Sequence, residues 1–265
     1  MRSYLQGFIA AEYPRAMFSK LRNYLRQNWL SPTRQFAAHE SEAVELANGT
    51  PGALAEIFFS GRGRRIHKWV HYLPTYERYF SAWQGKAPRF LEIGVFGGGS
   101  LDMWREYFGA DAIIYGIDIN SECAGLATPP TQIRIGSQDD SGFLKSIVAE
   151  MGGVDLILDD GSHIGKHQRK SFQTLFPLLT EGGVYMIEDT HTSYWPRYSG
   201  GYRWRGTAIE FGKRIVDDMH GWYHHRRMLT EARDQVGAIH FHDSIIVVEK
   251  QARARPKHII VEQSA

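Results

Sequence analysis

The residues best able to do chemistry in this sequence stand in two short segments. They read Leu156-Ile157-Leu158-Asp159-Asp160-Gly161-Ser162-His163 and Val184-Tyr185-Met186-Ile187-Glu188-Asp189-Thr190-His191. Each is an apolar run that ends in a pair of carboxylates. Four carboxylates brought together raise one another's pKa unless a cation neutralises them. Hard oxygen donors suit Mg2+, with Mn2+ or Ca2+ as alternatives, rather than zinc. Asp160, Glu188 and Asp189 offer three ligands and leave places for water and substrate oxygens. Such an ion lowers the pKa of a neutral hydroxyl. His163, just beyond Asp160, is the candidate general base for its proton. A lone Asp-Asp pair at a strand end commonly caps the next helix, but a second pair weakens that reading.

A third segment could hold an adenosine-containing ligand. Phe90-Leu91-Glu92-Ile93-Gly94-Val95-Phe96-Gly97-Gly98-Gly99-Ser100 is an apolar run, a glycine turn and a helix start. Glycines there let the backbone approach a ligand, and the helix N–H groups face it. Asp118 ends the next apolar run, 20 residues after Gly98, the place from which an acid hydrogen-bonds ribose hydroxyls. Phe96 stands where the second glycine of a dinucleotide fingerprint would be. The acid-x-Gly of Glu92 and Gly94 fits an S-adenosylmethionine site better than a nicotinamide site.

Directly after the second acidic pair, residues 193–206 interleave Tyr194, Trp195, Tyr198, Tyr202 and Trp204 with Arg197, Arg203 and Arg205. Flat rings suit the C–H face of a sugar, and Tyr194, Trp195, Arg197 and Tyr198 are the expected sugar contacts. Gly200 and Gly201 are expected to let this loop close as a lid. The same pattern occurs in single-stranded nucleic-acid grooves. The 31 Lys+Arg against 29 Asp+Glu, a net charge of +2, argue against nucleic acid.

Elements that position these residues follow from the hydrophobic pattern. Apolar runs at Phe90–Val95, Ile113–Ile117, Gln132–Ile135, Val154–Leu158 and Gly183–Ile187 alternate with helical patterns at Ser100–Phe108, Ser141–Glu150 and Lys166–Leu179. That alternation predicts an α/β fold, a parallel sheet covered by helices on both faces. Ala238–Phe241 and Ser244–Val248 read as a closing antiparallel hairpin. Residues 1–85 are expected to be a helical extension, 86–250 the cofactor-binding domain, and 251–265 a poorly ordered tail. Within 1–30, five basic residues and an apolar stripe predict an amphipathic helix, suited to packing on the domain, on a second copy or, peripherally, on a membrane.

The remaining composition excludes classes rather than choosing one. Cys123 is the sole cysteine, which excludes an internal disulfide and a thiolate zinc module. No apolar run reaches membrane-spanning length and no signal-peptide core is seen, so the expected location is cytoplasmic. Among 12 histidines, His220 with His224 has the helical spacing of a zinc pair without a third ligand, and His240 with His242 shares a strand face.

Taken together, Leu91–Ser100, Asp159–His163, Glu188–Asp189 and Thr192-Ser193-Tyr194-Trp195 resemble the metal-dependent O-methyltransferases that act on sugars of macrolide antibiotics. Bacterial glycan and glycolipid methyltransferases are similar. The likeness runs from about Ile66 to Lys250 and includes His67-Lys68-Trp69, Tyr72 and Tyr76. It implies a Rossmann-like class I methyltransferase fold, with Asp160, Glu188 and Asp189 at Mg2+ and His163 as base. It further implies Glu92, Gly94, Gly97, Asp118, Asp159 and Tyr72 at S-adenosylmethionine, and Gln138 with Asp139 toward adenine. The implied acceptor is a carbohydrate, free or lipid-linked, and the implied assembly a homo-oligomer. Rival readings are a nicotinamide-dependent oxidoreductase or epimerase, and a non-catalytic glycan or nucleic-acid module. Binding of S-adenosylhomocysteine rather than NAD separates the first, and methyl transfer to a sugar the second.

Overall fold

The computed structural model describes residues 40–261, so the basic segment 1–30 lies outside the described residues. Among the described residues, one compact unit begins at Glu45 and holds the sheet. Its sheet has seven strands: β1 Arg89–Ile93, β2 Ile113–Asp118, β3 Gln132–Ile135, β4 Val154–Asp159, β5 Leu179–Ile187, β6 Val236–His242 and β7 Ile245–Lys250. Their order is β3-β2-β1-β4-β5-β7-β6. The first five are parallel, and β7 runs antiparallel between β5 and β6. Strand order reverses between β1 and β4, the crevice where such sheets bind ligands.

Register sets up the site. Ile93 pairs with Asp159, and Asp159 with Ile187, so the three strands end level. The next residues are Gly94, Asp160 and Glu188. Asp160 N donates to Ile93 O at 2.9 Å and Glu188 N to Asp159 O at 2.9 Å, which carries the ladder one residue past the strands.

Helices are α1 Glu40–Gly49, α2 Ala53–Phe59, α3 Leu73–Phe80, α4 Gly99–Phe108, α5 Ser141–Met151, α6 Gly165–Leu175, α7 Ala208–Met219 and α8 Ala232–Gln235. Side chains alternate across the sheet. Phe90, Leu156 and Leu158 face a core shared with α3 and α4, while Leu91, Ile93 and Ile157 face a second core with α5, α6 and α7. The first is dominated by aromatics. Trp104 is fully buried, with Phe90 at 5.1 Å, Phe80 at 5.6 Å, Tyr76 at 5.4 Å and Phe108 at 5.9 Å between ring centroids. Much of the chain's 13% aromatic content is therefore packing. Emptying such a position typically costs about 3–5 kcal/mol. Because Leu54, Ala55, Leu73, Tyr76 and Phe80 join this core, α2 and α3 belong to the same unit as the sheet.

Strand limits fall within two residues of the sequence reading except in β5, which begins at Leu179 rather than Gly183. Pro177 stops α6 at Leu175, short of the expected Leu179, because proline cannot donate to a helix turn. Helix α7 was not anticipated. Just past β7, Gln251 N and Arg253 N bond Gln235 O and Asp234 O at 2.8 Å, and Ala252 N reaches Glu181 at 2.9 Å. No helix among the described residues is long and apolar enough to cross a membrane.

Candidate active site

A cavity of about 190 Å3 opens beyond β1, β2 and β3, lined by Gly94, Asp118, Ile119, Gly136, Gln138, Gly161 and Ser162 among others. Gly94 has φ +97°, and a Cβ there would lie 2.2 Å from the Asp160 carbonyl oxygen. A Cβ at Gly161 would lie 2.4 Å from Gln138 Oε1. Glycine is thus required where the two strand ends close on the cavity. Asp118 holds the glycine turn: its Oδ2 accepts from Val95 N at 2.8 Å and Phe96 N at 3.2 Å, and its Oδ1 from Asn120 N at 2.8 Å.

Gln138 spans the floor. Its Oε1 accepts from Ser162 N at 2.6 Å, and its Nε2 donates to Asp159 Oδ1 and Ser171 Oγ at 3.0 Å. Asp159 is fully buried and takes a further bond from Tyr185 OH at 2.9 Å, so it positions Gln138 instead of reaching the cavity. Burial pushes its pKa up to about 6 despite those donors. Gly97 and Asp139 are not among the lining residues; Asp139 lies 3.9 Å from Lys166 and 4.0 Å from His167.

The acidic cluster lies next to this cavity and has two sides. On one, Asp160, His163 and Asp189 each present an atom within 4.8 Å of the others. His163 Nδ1 is 3.9 Å from Asp160 Oδ1, and Nε2 is 3.7 Å from Asp189 Oδ2. Nδ1 is buried with no hydrogen-bond partner among the described residues. Both His163 (φ +56°) and Asp189 (φ +57°) are in the left-handed region, a conformation costing on the order of 1–3 kcal/mol that persists only when surroundings impose it. Thr192 imposes it: its Oγ1 lies 3.1 Å from His163 O and 2.7 Å from Asp189 O. Tyr72 belongs here, donating to Asp189 Oδ1 at 2.7 Å.

Lys68 forms the other side. Its ammonium pairs with Asp160 Oδ2, lies 2.9 and 3.1 Å from the two Glu188 oxygens, and stands 3.9 Å from Glu92 Oε1. Burial alone would lower the Lys68 pKa, but Asp160, Glu188 and Glu92 hold it above the ordinary lysine value. Glu188 also accepts from Tyr76 OH at 2.7 Å; burial and the neighbouring Asp160 push its pKa well up. Glu92 is fully buried, accepts from Ser100 Oγ at 2.8 Å and Trp104 Nε1 at 3.4 Å, and has its pKa pushed up to about 7 by burial, partly offset by Lys68. No spacing signal marks Lys68, because its partners are 92 and 120 residues away.

The aromatic loop is fastened beside this cluster. Tyr198 stands 5.9 Å from the His163 ring, and Trp195 stands 6.1 Å from Tyr198 and 4.5 Å from His191. Tyr194, Tyr202, Trp204 and Arg197 are exposed. Gly200 and Gly201 are not a free hinge. A Cβ on Gly200 would meet Thr192 O at 2.5 Å, and Gly201 N donates to Ser193 O at 2.8 Å, so close packing explains both. His220 caps α7 while His224 lies beyond it, so they share no helix face. His240 and His242 pack on Tyr79.

The sheet order with its closing antiparallel pair, and a glycine cradle beside an acidic strand-end cluster, define a class I methyltransferase fold. No protein-family model matches the chain. Over 200 residues it is 37% identical to an 8-demethyl-8-alpha-L-rhamnosyl tetracenomycin-C 2'-O-methyltransferase of Streptomyces olivaceus, covering 71% of this chain and 52% of that protein. It is 34% identical over 218 residues to the mycinamicin VI 2''-O-methyltransferase of Micromonospora griseorubida, covering 74% and 51%. Among solved structures, MycE methyltransferase in complex with Mg, SAH and mycinamycin VI superposes with a TM-score of 0.66 at 29% identity, covering 82% of this chain and 63% of that one. The chain belongs to the homologous family of these sugar O-methyltransferases, and spans about half the length of the curated relatives it matches.

Proposed function

We propose that the chain transfers a methyl group from S-adenosylmethionine to a sugar hydroxyl of a glycan, glycolipid or glycosylated natural product. The observation that carries this reading is the convergence of Asp160, Asp189 and His163 beside the glycine-lined cavity. The residues present fit both groups. Gly94 and Gly161 leave the room a side chain would fill, and Asp118 and Gln138 line the same cavity. Asp160 and Asp189 are hard donors suited to Mg2+. Glu188, the third carboxylate of the proposed set, keeps a free lone pair on Oε1 after its bonds to Lys68 and Tyr76.

When bound, Mg2+ lowers the pKa of the acceptor hydroxyl and S-adenosylmethionine supplies the methyl group. His163 takes the hydroxyl proton on one ring nitrogen, while Asp160 and Asp189 flank the ring and stabilise the positive charge it gains. Tyr198, which stands against the His163 ring, and Trp195, which stands against Tyr198, are suited to orient the sugar ring, with Tyr194 and Arg197 as the further acceptor contacts of this reading. Orientation of this kind supplies much of the barrier reduction.

Two finer parts rest on the sequence alone: a lipid-linked acceptor and a homo-oligomeric state, both suggested by the basic segment 1–30. A cytoplasmic location goes with the cofactor. The test is transfer of labelled methyl to a panel of rhamnose-, fucose- and mannose-bearing acceptors, before and after chelation. Activity that EDTA removes and Mg2+ restores is the expected result. Full activity after exhaustive chelation overturns the metal role, and binding of NAD in place of S-adenosylhomocysteine overturns the reading as a whole.

A further inference from the structure

Asp160 faces two cation places. Its Oδ2 is paired with the Lys68 ammonium, while its Oδ1 looks toward His163 on the side where Asp189 also points. The Lys68 side is closed, with a lysine side chain 2% exposed among Glu92, Asp160 and Glu188, one ammonium for three carboxylates. The Asp189 side is more open: Asp160, Asp189 and His163 are each about one-fifth exposed. In two-ion centres the ions stand about 3.5–4 Å apart and share the oxygens between them.

We propose that Lys68 is a built-in cation filling the first of these places, so that the chain takes a single divalent ion, and that removing Lys68 converts the cluster into a two-ion centre. Three reasons support this. Buried carboxylates keep their charge only when a cation compensates them, since desolvation costs several kcal/mol per ion. An ammonium has three donors and no acceptor, which matches Asp160 and the two Glu188 oxygens with nothing left over. Lys68 also arrives from a segment outside the sheet, just before α3, so its removal leaves the strand ends that carry the carboxylates in place. Lys68 is then a positioning residue: it holds Asp160 and Glu188 at its own end of the cluster and keeps a second divalent ion out of that place.

The inference rests on the metal reading above, and one titration separates the two. Metal-free full-length chain is titrated with Mn2+, with bound ions counted by calorimetry and by the electron paramagnetic resonance of free Mn2+. Wild type is expected to bind one ion per chain and Lys68→Arg, which keeps the charge, also one. Lys68→Ser, which removes the ammonium and leaves room, is expected to bind two, with the broadened signal of spin-coupled neighbours. No binding by wild type overturns the metal reading and the inference with it. One ion in wild type and one or none in folded Lys68→Ser overturns the inference alone. Should Lys68→Ser fail to fold without metal, it is refolded with Mn2+. Recovery of folded chain with two ions supports the proposal, and persistent unfolding counts against it, because a divalent ion should replace the lost charge.

Discussion

Lys68 Nζ lies 2.9 Å from Glu188 Oε2, and both side chains are 2% exposed. Removing one member of a buried pair leaves the other's charge in low dielectric, at a cost of about 3–5 kcal/mol. Glu188→Ala in metal-free buffer is therefore expected to lower stability by about 3 kcal/mol. That corresponds to roughly 6–12 °C in Tm for a unit of this size. Thermal unfolding checks it, and a Tm within 2 °C of wild type would contradict the pairing.

His163 is expected to act on the proton and not on the cofactor. His163→Ala should reduce kcat by about 10²–10⁴-fold. Its ring lies at the acidic cluster and does not line the glycine cavity, so the Kd for S-adenosylhomocysteine should stay within about twofold. Single-turnover methyl transfer and calorimetry read the two separately. Equal losses in both would place His163 in cofactor binding.

Gly94 combines φ +97° with the Asp160 carbonyl 2.2 Å from any Cβ. Gly94→Ala must move either the glycine turn or the β4 end, and both wall the cavity. The expected result is loss of measurable S-adenosylhomocysteine binding and a Tm lowered by several degrees. Gly109→Ala, where φ is +92° but no atom crowds the Cβ, isolates the backbone strain and should keep binding. Normal cofactor affinity in Gly94→Ala would falsify the cavity assignment.

Glu92 makes stability depend on pH. Burial raises its pKa from 4.5 to about 7, partly offset by Lys68. The folded chain therefore holds this proton more tightly than the unfolded chain. Stability contributed by the protonated carboxyl is full below about pH 4.5 and declines as pH rises to 7, by roughly 3 kcal/mol at one pKa unit per 1.36 kcal/mol. Unfolding of the metal-free protein at pH 5 and pH 7 should show this slope, and Glu92→Gln should flatten it. An unchanged slope in the variant would mean that other groups carry the effect.

Much of the architecture was legible because it is written locally. Alternating apolar runs and helical patterns placed the seven strands, since a strand buried on both faces must be apolar along its length. The two acidic pairs were visible because each stands where such a run stops. Helix α7 is not announced by the sequence although its apolar face packs on β6 and β7, because the aromatic, glycine-rich loop before it has the composition of a lid. Gly200 and Gly201 resemble a hinge in sequence for a related reason. A glycine looks alike in sequence whether it frees the chain or lets two backbones touch.

What the sequence determined by itself is the set of groups available: hard carboxylates at two strand ends, a histidine beside one, and glycines before a helix. The tertiary structure alone decided how they divide. The level register of β1, β4 and β5 put Gly94, Asp160 and Glu188 side by side, and a segment before α3 brought Lys68 among the acids. It also turned Glu92 toward that lysine and Asp159 into the interior. Local patterns report which face of an element is buried. Which charges meet across 92 or 120 residues depends on packing, because a buried charge is tolerated only where the fold brings it a partner.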